Sequence, residues 1–356
     1  MSSFRKYFSH HFKETLMRIL VITVLVALLT VTFVSLSRII LYDYQPYGHK
    51  HPIDAVVSVS GSIGVLGVVA AILSTVIPIL ELVGFKNRRN MDSLLVLPIS
   101  RTKMALAHYL NGIIEILFAN GVCFALTAIK MIPFADVYSI PSLIPYYLLL
   151  MLGSAVVYSV FFFVFMQGNT VADGVIFMTL YSLIGMLVVG TFEALGDVKA
   201  RDMQFSYCSP YSPIVYVTDL FERFITPNVK YDGSIGPGAI INPQPIKLEW
   251  KDMHTFYIVL WCVIGAIAVI GYLYFFSKQR TERIGGISSS PFGYMTLIPI
   301  YALSLILLGI SGIAGVLVII ATVVGYIIYR RSVRLKLPDL ICIGVIAFLI
   351  FSGIKF

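Results

Sequence analysis

Ionisable and amide side chains lie inside long apolar stretches of this sequence. Their charges and hydrogen-bonding groups need partners there. Glu115 lies about a dozen residues into an apolar run, with Asn111 and His108 on adjoining helical turns. A carboxylate near the centre of a bilayer costs about 2.5–3.5 kcal/mol on insertion scales, so it usually faces a partner or water. Two interpretations of Glu115 and Asn111 stay open: a role in a lumen or gate, or a buried hydrogen bond between two spans. Glu193, near the end of a later run, is a further candidate for a lumen or gate.

Glu81 lies at the end of an earlier apolar run, shortly before the basic pair Arg88 and Arg89. A carboxylate at this position is best compensated by a neighbouring cation. We therefore predict a structural ion pair at Glu81 that braces the polar segment after it.

The sequence lacks the residues that bind nucleotide phosphates. There is no GxxxxGK[ST] pattern, and no glycine is followed directly by lysine. Gly61, Gly64 and Gly67 lie three apart inside an apolar run, which is typical of close packing between membrane helices. We predict that this chain has no ATPase site of its own and is not an enzyme.

Metal and catalytic patterns are also weak. His49 and His51 precede Asp54, and His10 adjoins His11, but neither pair has a third ligand at helical spacing. HExxH is absent, and the four cysteines are scattered without a CxxC pair. The sequence predicts no metal site, no catalytic set and no cofactor bound by this chain.

The composition is that of a membrane protein. Of the 356 residues, 58% are hydrophobic and 12% are charged, and the mean hydropathy is +0.90. Soluble domains carry about 25% charged residues. The apolar runs have the length of membrane-spanning helices and do not alternate like barrel strands. We predict an all-α polytopic membrane protein with spans at about 18–41, 54–82, 104–130, 142–166, 174–195 and 255–277, then shorter ones at 292–310, 312–329 and 338–354.

The net charge of +8 follows from the topology rather than from nucleic-acid binding. With the N-terminus in the cytoplasm, the segments on the inner side hold 16 of the 26 Lys and Arg residues. Cytoplasmic loops carry such an excess. Nucleic acid is therefore not an expected partner. The inner basic residues are Arg5, Lys6, Lys13, Arg18, Lys86, Arg88, Arg89, Arg101, Lys103, Lys278, Arg280, Arg283, Arg330, Arg331, Arg334 and Lys336.

The chain divides into three parts. Residues 1–17 place aromatic side chains on one face and Lys and His on the other, which predicts an amphipathic helix at the membrane interface. Residues 18–277 form a six-span domain, with a cytoplasmic loop at 84–103 and an external segment at 196–254. Within the external segment, residues 209–221 are amphipathic and predict short helices at the interface. Residues 278–356 form a basic flank and the C-terminal spans.

The 84–103 loop is the strongest candidate for an aqueous contact. It begins with Lys and Arg, continues with an apolar run, and reaches Pro98. Proline disfavours helix at the residue before it. The pattern predicts a short helix over 88–97, and Arg101 would return the chain to the membrane.

The stretch Asn90-Met91-Asp92-Ser93-Leu94-Leu95-Val96-Leu97-Pro98-Ile99-Ser100-Arg101 resembles the ABC-2 type permease family, the membrane subunits of many bacterial ABC exporters. In that family a run ending in Leu-Pro-(Ile/Val)-Ser-Arg commonly occupies this loop. The amphipathic N-terminus, the six spans and the external segment before the sixth also match. The resemblance covers about residues 1–286, and the three C-terminal spans depart from the family's six-span plan.

The resemblance implies a permease subunit of an ABC exporter in the bacterial cytoplasmic membrane. A separate ATP-binding cassette subunit would hold ATP and Mg, a second identical or related permease would complete the path, and lipid would surround it. Spans two and five would line the path for an amphiphilic cargo. The alternative is an ion-gradient-driven carrier or channel without an ATPase. The residues implied to couple to the ATPase are Arg88, Arg89, Met91, Asp92, Leu94, Leu95, Leu97, Pro98 and Arg101.

Overall fold

The computed structural model describes residues 3–34, 37–44, 50–58, 60–134, 143–196, 211–224, 252–279, 282, 284–288, 290–308, 313–330 and 332–351. The elements are α1 Ser3–Phe33, β1 Ser37–Tyr44, β2 Lys50–Ser58, α2 Ser60–Leu82, a 3-10 turn Val83–Lys86, α3 Arg88–Leu95, α4 Arg101–Met131, a 3-10 turn Ile132–Phe134, α5 Leu143–Gln167, α6 Val171–Gly196, α7 Pro213–Phe224, α8 Asp252–Ser277, α9 Tyr294–Leu307, α10 Ile313–Arg330 and α11 Leu337–Phe351.

Six of these helices are long and apolar enough to cross a membrane: α1, α2, α4, α5, α6 and α8. The polytopic helical fold predicted from composition is confirmed. At 1.5 Å per residue, the 31 residues of α4 extend about 45 Å, more than the hydrocarbon core of a bilayer.

The connection between the first two spans contains an antiparallel hairpin, with Ser37 opposite Ser58 and Tyr44 opposite Lys50. The predicted spans 18–41 and 54–82 were therefore wrong at the ends that face each other. Residues 37–44 and 50–58 are rich in β-branched and aromatic residues, which favour strands. Mean hydropathy over a window does not distinguish an apolar strand from the end of an apolar helix.

Helix α1 runs without interruption from Ser3 to Phe33. It joins residues 3–17, within the segment predicted as an interfacial helix, to the first span in one continuous helix. Its face toward α4 is buried, including Thr15, Thr23 and Thr30, while its opposite face leaves residues such as Leu20 and Leu28 exposed. Exposed apolar residues on a spanning helix are suited to lipid or to another membrane subunit.

Aromatic side chains fill the contact between α4, α5 and α8. Tyr158 and Tyr272 are fully buried, and the Phe162 and Tyr272 rings lie 4.6 Å apart. Tyr109 donates to, or accepts from, the Ser159 hydroxyl at 2.7 Å, so its polar atom is satisfied inside this core. Ring pairs with this edge-to-face geometry add to the free energy gained by burial.

Helix α7, in the segment predicted to be external and amphipathic, packs against α2 and α5. Its Val217 is fully buried, and Tyr216 stacks on Trp261 of α8 with 5.9 Å between ring centroids. The helical character predicted here is confirmed. A Cβ on Gly67 would lie 2.9 Å from the Thr218 carbonyl oxygen, so the close-packing role predicted for Gly67 is also confirmed. Within the described part of the chain, a Cβ on Gly64 would meet no atom within 4 Å.

Helices α9, α10 and α11 occupy the positions of the three predicted C-terminal spans. They contain 14, 18 and 15 residues. Residues 294–307, 315–330 and 337–350 within them form apolar helices shorter than the six candidate spans. Helix α9 packs against α6, and a small apolar core around Ala302, Ile306 and Ile346 joins α9 to α11.

Candidate functional site

Polar side chains from three helices meet at one end of the bundle. Helix α1 contributes Tyr7, His11, Thr15 and Arg18, α2 contributes Glu81, and α4 contributes His108, Asn111 and Glu115. We call these eight residues the charge network. The spacings along α1 and α4 are three or four residues, so each set lies on one helical face. The two faces oppose each other because α1 packs along α4.

Glu81 is the centre of the charge network. Its Oε2 lies 3.0 Å from His11 Nε2 and 2.9 Å from His108 Nδ1. Its Oε1 accepts hydrogen bonds from Asn111 Nδ2 at 2.7 Å and from Arg18 Nη2. Both carboxylate oxygens therefore have two partners each, which is what a buried carboxylate requires.

Arg18 joins two carboxylates from different helices. Its Nη2 donates to Glu115 Oε2 at 2.7 Å and also to Glu81, and its Nε lies 3.3 Å from Glu115 Oε1. The planar guanidinium fits such two-point contacts. The Glu81 and Glu115 side chains have no exposed surface, whereas that of Arg18 is 25% exposed. Arg18 therefore lies where the network approaches the surface.

The structure places the predicted polar residues as follows. Glu115 and Asn111 are buried in the charge network, where they bind α1 side chains. Glu81 forms its ion pair with Arg18, whereas Arg88 and Arg89 are exposed. Glu193 lies within α6, and its side chain is outside the described part of the structure.

Sequence reasoning missed Arg18 and His11 as members of a buried site. They were assigned to the basic flank of the first span and to an adjacent histidine pair. The signal was the spacing of Tyr7, His11, Thr15 and Arg18, which puts all four polar groups on one face of a helix that is otherwise apolar after residue 15.

The 84–103 loop lies at the same end of the molecule as the charge network, and it contains the predicted short helix. Helix α3 spans Arg88–Leu95 and ends three residues before Pro98. Arg88, Arg89, Asp92 and Pro98 are exposed, and Val96 and Leu97 are 84% and 41% exposed. Met91 has no exposed surface, so its side chain packs α3 against the rest of the protein. The side chains of Leu94 and Leu95 lie outside the described part of the structure.

Buried contacts fix the 84–103 loop to the membrane helices. Lys86 Nζ donates to the Met166 carbonyl at 3.1 Å and to the Gly168 carbonyl, at the end of α5. Phe85 packs between His108 and Phe276, with ring centroids 4.7 and 5.1 Å away. Arg101 Nη1 donates to the Gln279 carbonyl at 2.7 Å, just after α8. A lysine beside the carbonyls at a helix C-terminus is favoured by the helix dipole, which fits Lys86 at the end of α5.

The segment after α8 also holds the turn between α5 and α6. Asn169 Nδ2 donates to the Ile287 carbonyl at 2.8 Å, and the Ser288 hydroxyl donates to the Gln167 carbonyl at 2.7 Å. The Tyr294 hydroxyl donates to Asp173 Oδ1 at 2.8 Å. The 84–103 loop, the α5–α6 turn and residues 284–288 and 290–294 thus form one hydrogen-bonded bracket.

Residues 53–220, just under half of the chain, match the family model described as ABC-2 family transporter protein. Residues 53–220 are thus similar to an ABC-2 family transporter domain. The resemblance predicted from the 84–103 loop is therefore confirmed over this region, and the match together with the six apolar helices supports a multi-pass, permease-type membrane component of ABC transport. No curated protein and no solved structure matches the chain. The matched region of this permease contains Glu81, the 84–103 loop, α4 to α6 and the first part of α7.

Proposed function

We propose that this permease is the membrane subunit of an ABC exporter and that the 84–103 loop docks into a separate ATP-binding cassette ATPase. A second permease, identical or related, completes the path, and the assembly lies in a bacterial cytoplasmic membrane with the N-terminus inside. The family implies the ATPase partnership. The ATPase supplies the ATP and Mg site for which this sequence has no phosphate-binding pattern.

The observation that carries this proposal is an exposed apolar segment on a rigid base. Val96 is 84% exposed beside Leu97 and Pro98, while Met91, Phe85 and Lys86 are buried immediately beneath. Exposed apolar side chains rimmed by charges are typical of a protein interface. A rigid base allows an interface to transmit force rather than yield locally.

The hydrogen-bonded bracket supports a path by which force on α3 would reach the membrane helices. A displacement of α3 would act through Lys86 on the end of α5 and through Arg101 on the end of α8. It would also act through Phe85 on His108 in α4. ATP-driven closure of two ATPases would therefore tilt several membrane helices together, as rigid-body transitions do.

The environment of Glu115 favours the exporter over an ion-gradient-driven carrier. A carrier needs a carboxylate that exchanges its cation during each cycle. Glu115 is instead fully buried and bound by Arg18. Glu115 therefore forms a buried ion pair with Arg18 in this conformation. The energy for transport would then come from the partner subunit.

Co-expression tests the proposal. The full-length permease is produced together with a candidate ATP-binding cassette ATPase, taken from a gene beside its own, and purified in detergent through a tag on the permease. We expect the two chains to co-purify in about equal amounts and the ATPase rate to change when the complex is reconstituted in lipid. Recovery of the permease alone, from membranes that contain both proteins, would contradict the proposal.

A further inference from the structure

We propose that His11, Glu81 and His108 form a binding site for a divalent transition-metal ion of the zinc class. One ligand atom from each side chain, His11 Nε2, Glu81 Oε2 and His108 Nδ1, lies within 4.8 Å of the other two. Two imidazoles and a carboxylate are a ligand set that zinc accepts in proteins, with a fourth position left for water. The site would tie α1, α2 and α4 together beside the 84–103 loop.

Two of the three distances between the ligand atoms are close to those around a small tetrahedral ion. Zinc binds nitrogen at about 2.0–2.1 Å and carboxylate oxygen at about 2.0–2.2 Å, so neighbouring ligand atoms lie about 3.3 Å apart. The two histidine nitrogens lie 3.0 and 2.9 Å from Glu81 Oε2. The two histidine nitrogens lie within 4.8 Å of each other, so the three ligand atoms can close around one ion by small side-chain movements.

The atoms that the metal would not use already have the partners expected around a metal site. His108 Nε2 is hydrogen-bonded to the Tyr7 hydroxyl at 3.0 Å, which leaves Nδ1 for the ion. Glu81 Oε1 accepts from Asn111 at 2.7 Å and from Arg18, which leaves Oε2 for the ion. Metal-ligating histidines and carboxylates are usually oriented in this way by neighbouring groups.

The two carboxylates of the network can accommodate a further cation beside Arg18. Glu81 and Glu115 carry two negative charges, and Arg18 carries one positive charge between them. Unpaired charge in a buried site is costly. A cation bound at Glu81 Oε2 would face the two histidine nitrogens as well as this carboxylate. The His11 side chain is 15% exposed, which gives an ion access from the aqueous end.

Zinc binding by the full-length permease tests the site. The protein is purified without a polyhistidine tag, loaded with Zn²⁺, dialysed, and analysed for metal by mass spectrometry. We expect about one zinc ion per chain, and a visible absorption spectrum of tetrahedral type when Co²⁺ replaces zinc. His11→Ala and His108→Ala should each weaken zinc binding at least tenfold.

His10→Ala is the matched control. Its side chain is 74% exposed and faces Glu14 rather than Glu81, so zinc binding should stay unchanged. The proposal is overturned if wild type binds zinc no better than the His11→Ala, His108→Ala double variant, or if His10→Ala removes the metal. A pH-dependent melting temperature without zinc binding would assign the site to a proton and overturn the proposal too. The measurement uses no ATPase, so its result is independent of the transport proposal.

Discussion

Arg18 binds two carboxylates that arrive from different helices, and this makes it the most consequential side chain of the charge network. Glu81 and Glu115 have no exposed surface, and Arg18 is an ion-pair partner of both. Removing one member of a buried ion pair leaves an uncompensated charge, which costs about 3–5 kcal/mol. The attachment of α1 to α2 and α4 therefore depends on this guanidinium.

Replacing Arg18 and Glu115 separately tests that dependence. Arg18→Met leaves two buried carboxylates without their guanidinium, so we expect a loss of about 3–5 kcal/mol in the free energy of unfolding. Glu115→Gln leaves Arg18 paired with Glu81 and keeps an acceptor in place, so we expect a loss of about 1–2 kcal/mol. Denaturation in detergent measures both. Equal losses, or a larger loss for Glu115→Gln, would contradict the assignment of Arg18 as the central cation.

The buried residues of the network were recognisable one by one from the sequence, but their partners were not. Glu115, Asn111 and Glu81 stand out as polar groups in apolar runs. Arg18 stands at a span boundary, where a basic residue is ordinary. Which face of α1 meets α4 is decided by packing between residues almost a hundred positions apart, and no local pattern carries that information.

At the scale of elements, α7 is held against α2 by a contact that only a glycine permits. A Cβ on Gly67 would lie 2.9 Å from the Thr218 carbonyl oxygen and 3.0 Å from that of Val217. Both obstructing atoms are backbone, so a rotamer change does not relieve the clash. Helix α7 would have to move away from α2 as a whole.

Gly67→Ala and Gly64→Ala form a matched pair that tests this contact. We expect Gly67→Ala to destabilise the protein by about 1–3 kcal/mol, the range for overpacking a close contact. Gly64→Ala should be neutral or slightly stabilising, because alanine favours helix. Fluorescence of Trp261, which stacks on Tyr216 of α7, reports the displacement in a Trp250→Phe background. Identical melting and fluorescence for the two variants would refute the contact.

The long spans were predictable because length and apolar composition decide them, whereas the hairpin was not. Residues 37–44 and 50–58 are apolar enough to extend the neighbouring spans on a hydropathy scale. Their strand structure depends on pairing with each other, which a single stretch does not reveal. Helix α7 was found as an amphipathic segment, but its burial against α2 and α5 required tertiary contacts.

At the scale of the whole molecule, the basic connections gather at one end. Lys86 reaches the end of α5, Arg101 reaches the end of α8, and Tyr294 lies against Tyr329 at the end of α10. The charge distribution in the sequence predicts the same grouping of these segments. The buried hydrogen bonds that join these segments into one bracket depend on tertiary packing, and the charge pattern of the sequence does not predict them.

The most direct test of the central claim is the affinity of the ATP-binding cassette ATPase for the permease in lipid nanodiscs. A Val96→Asp, Leu97→Asp double variant puts charge on the exposed apolar segment, and we expect affinity to fall at least tenfold, about 1.4 kcal/mol. Val333→Asp is the control, because Val333 is 81% exposed in the α10–α11 connection at the same end. It should bind like wild type. Unchanged affinity for the double variant, or an equal loss for Val333→Asp, would contradict docking through the 84–103 loop.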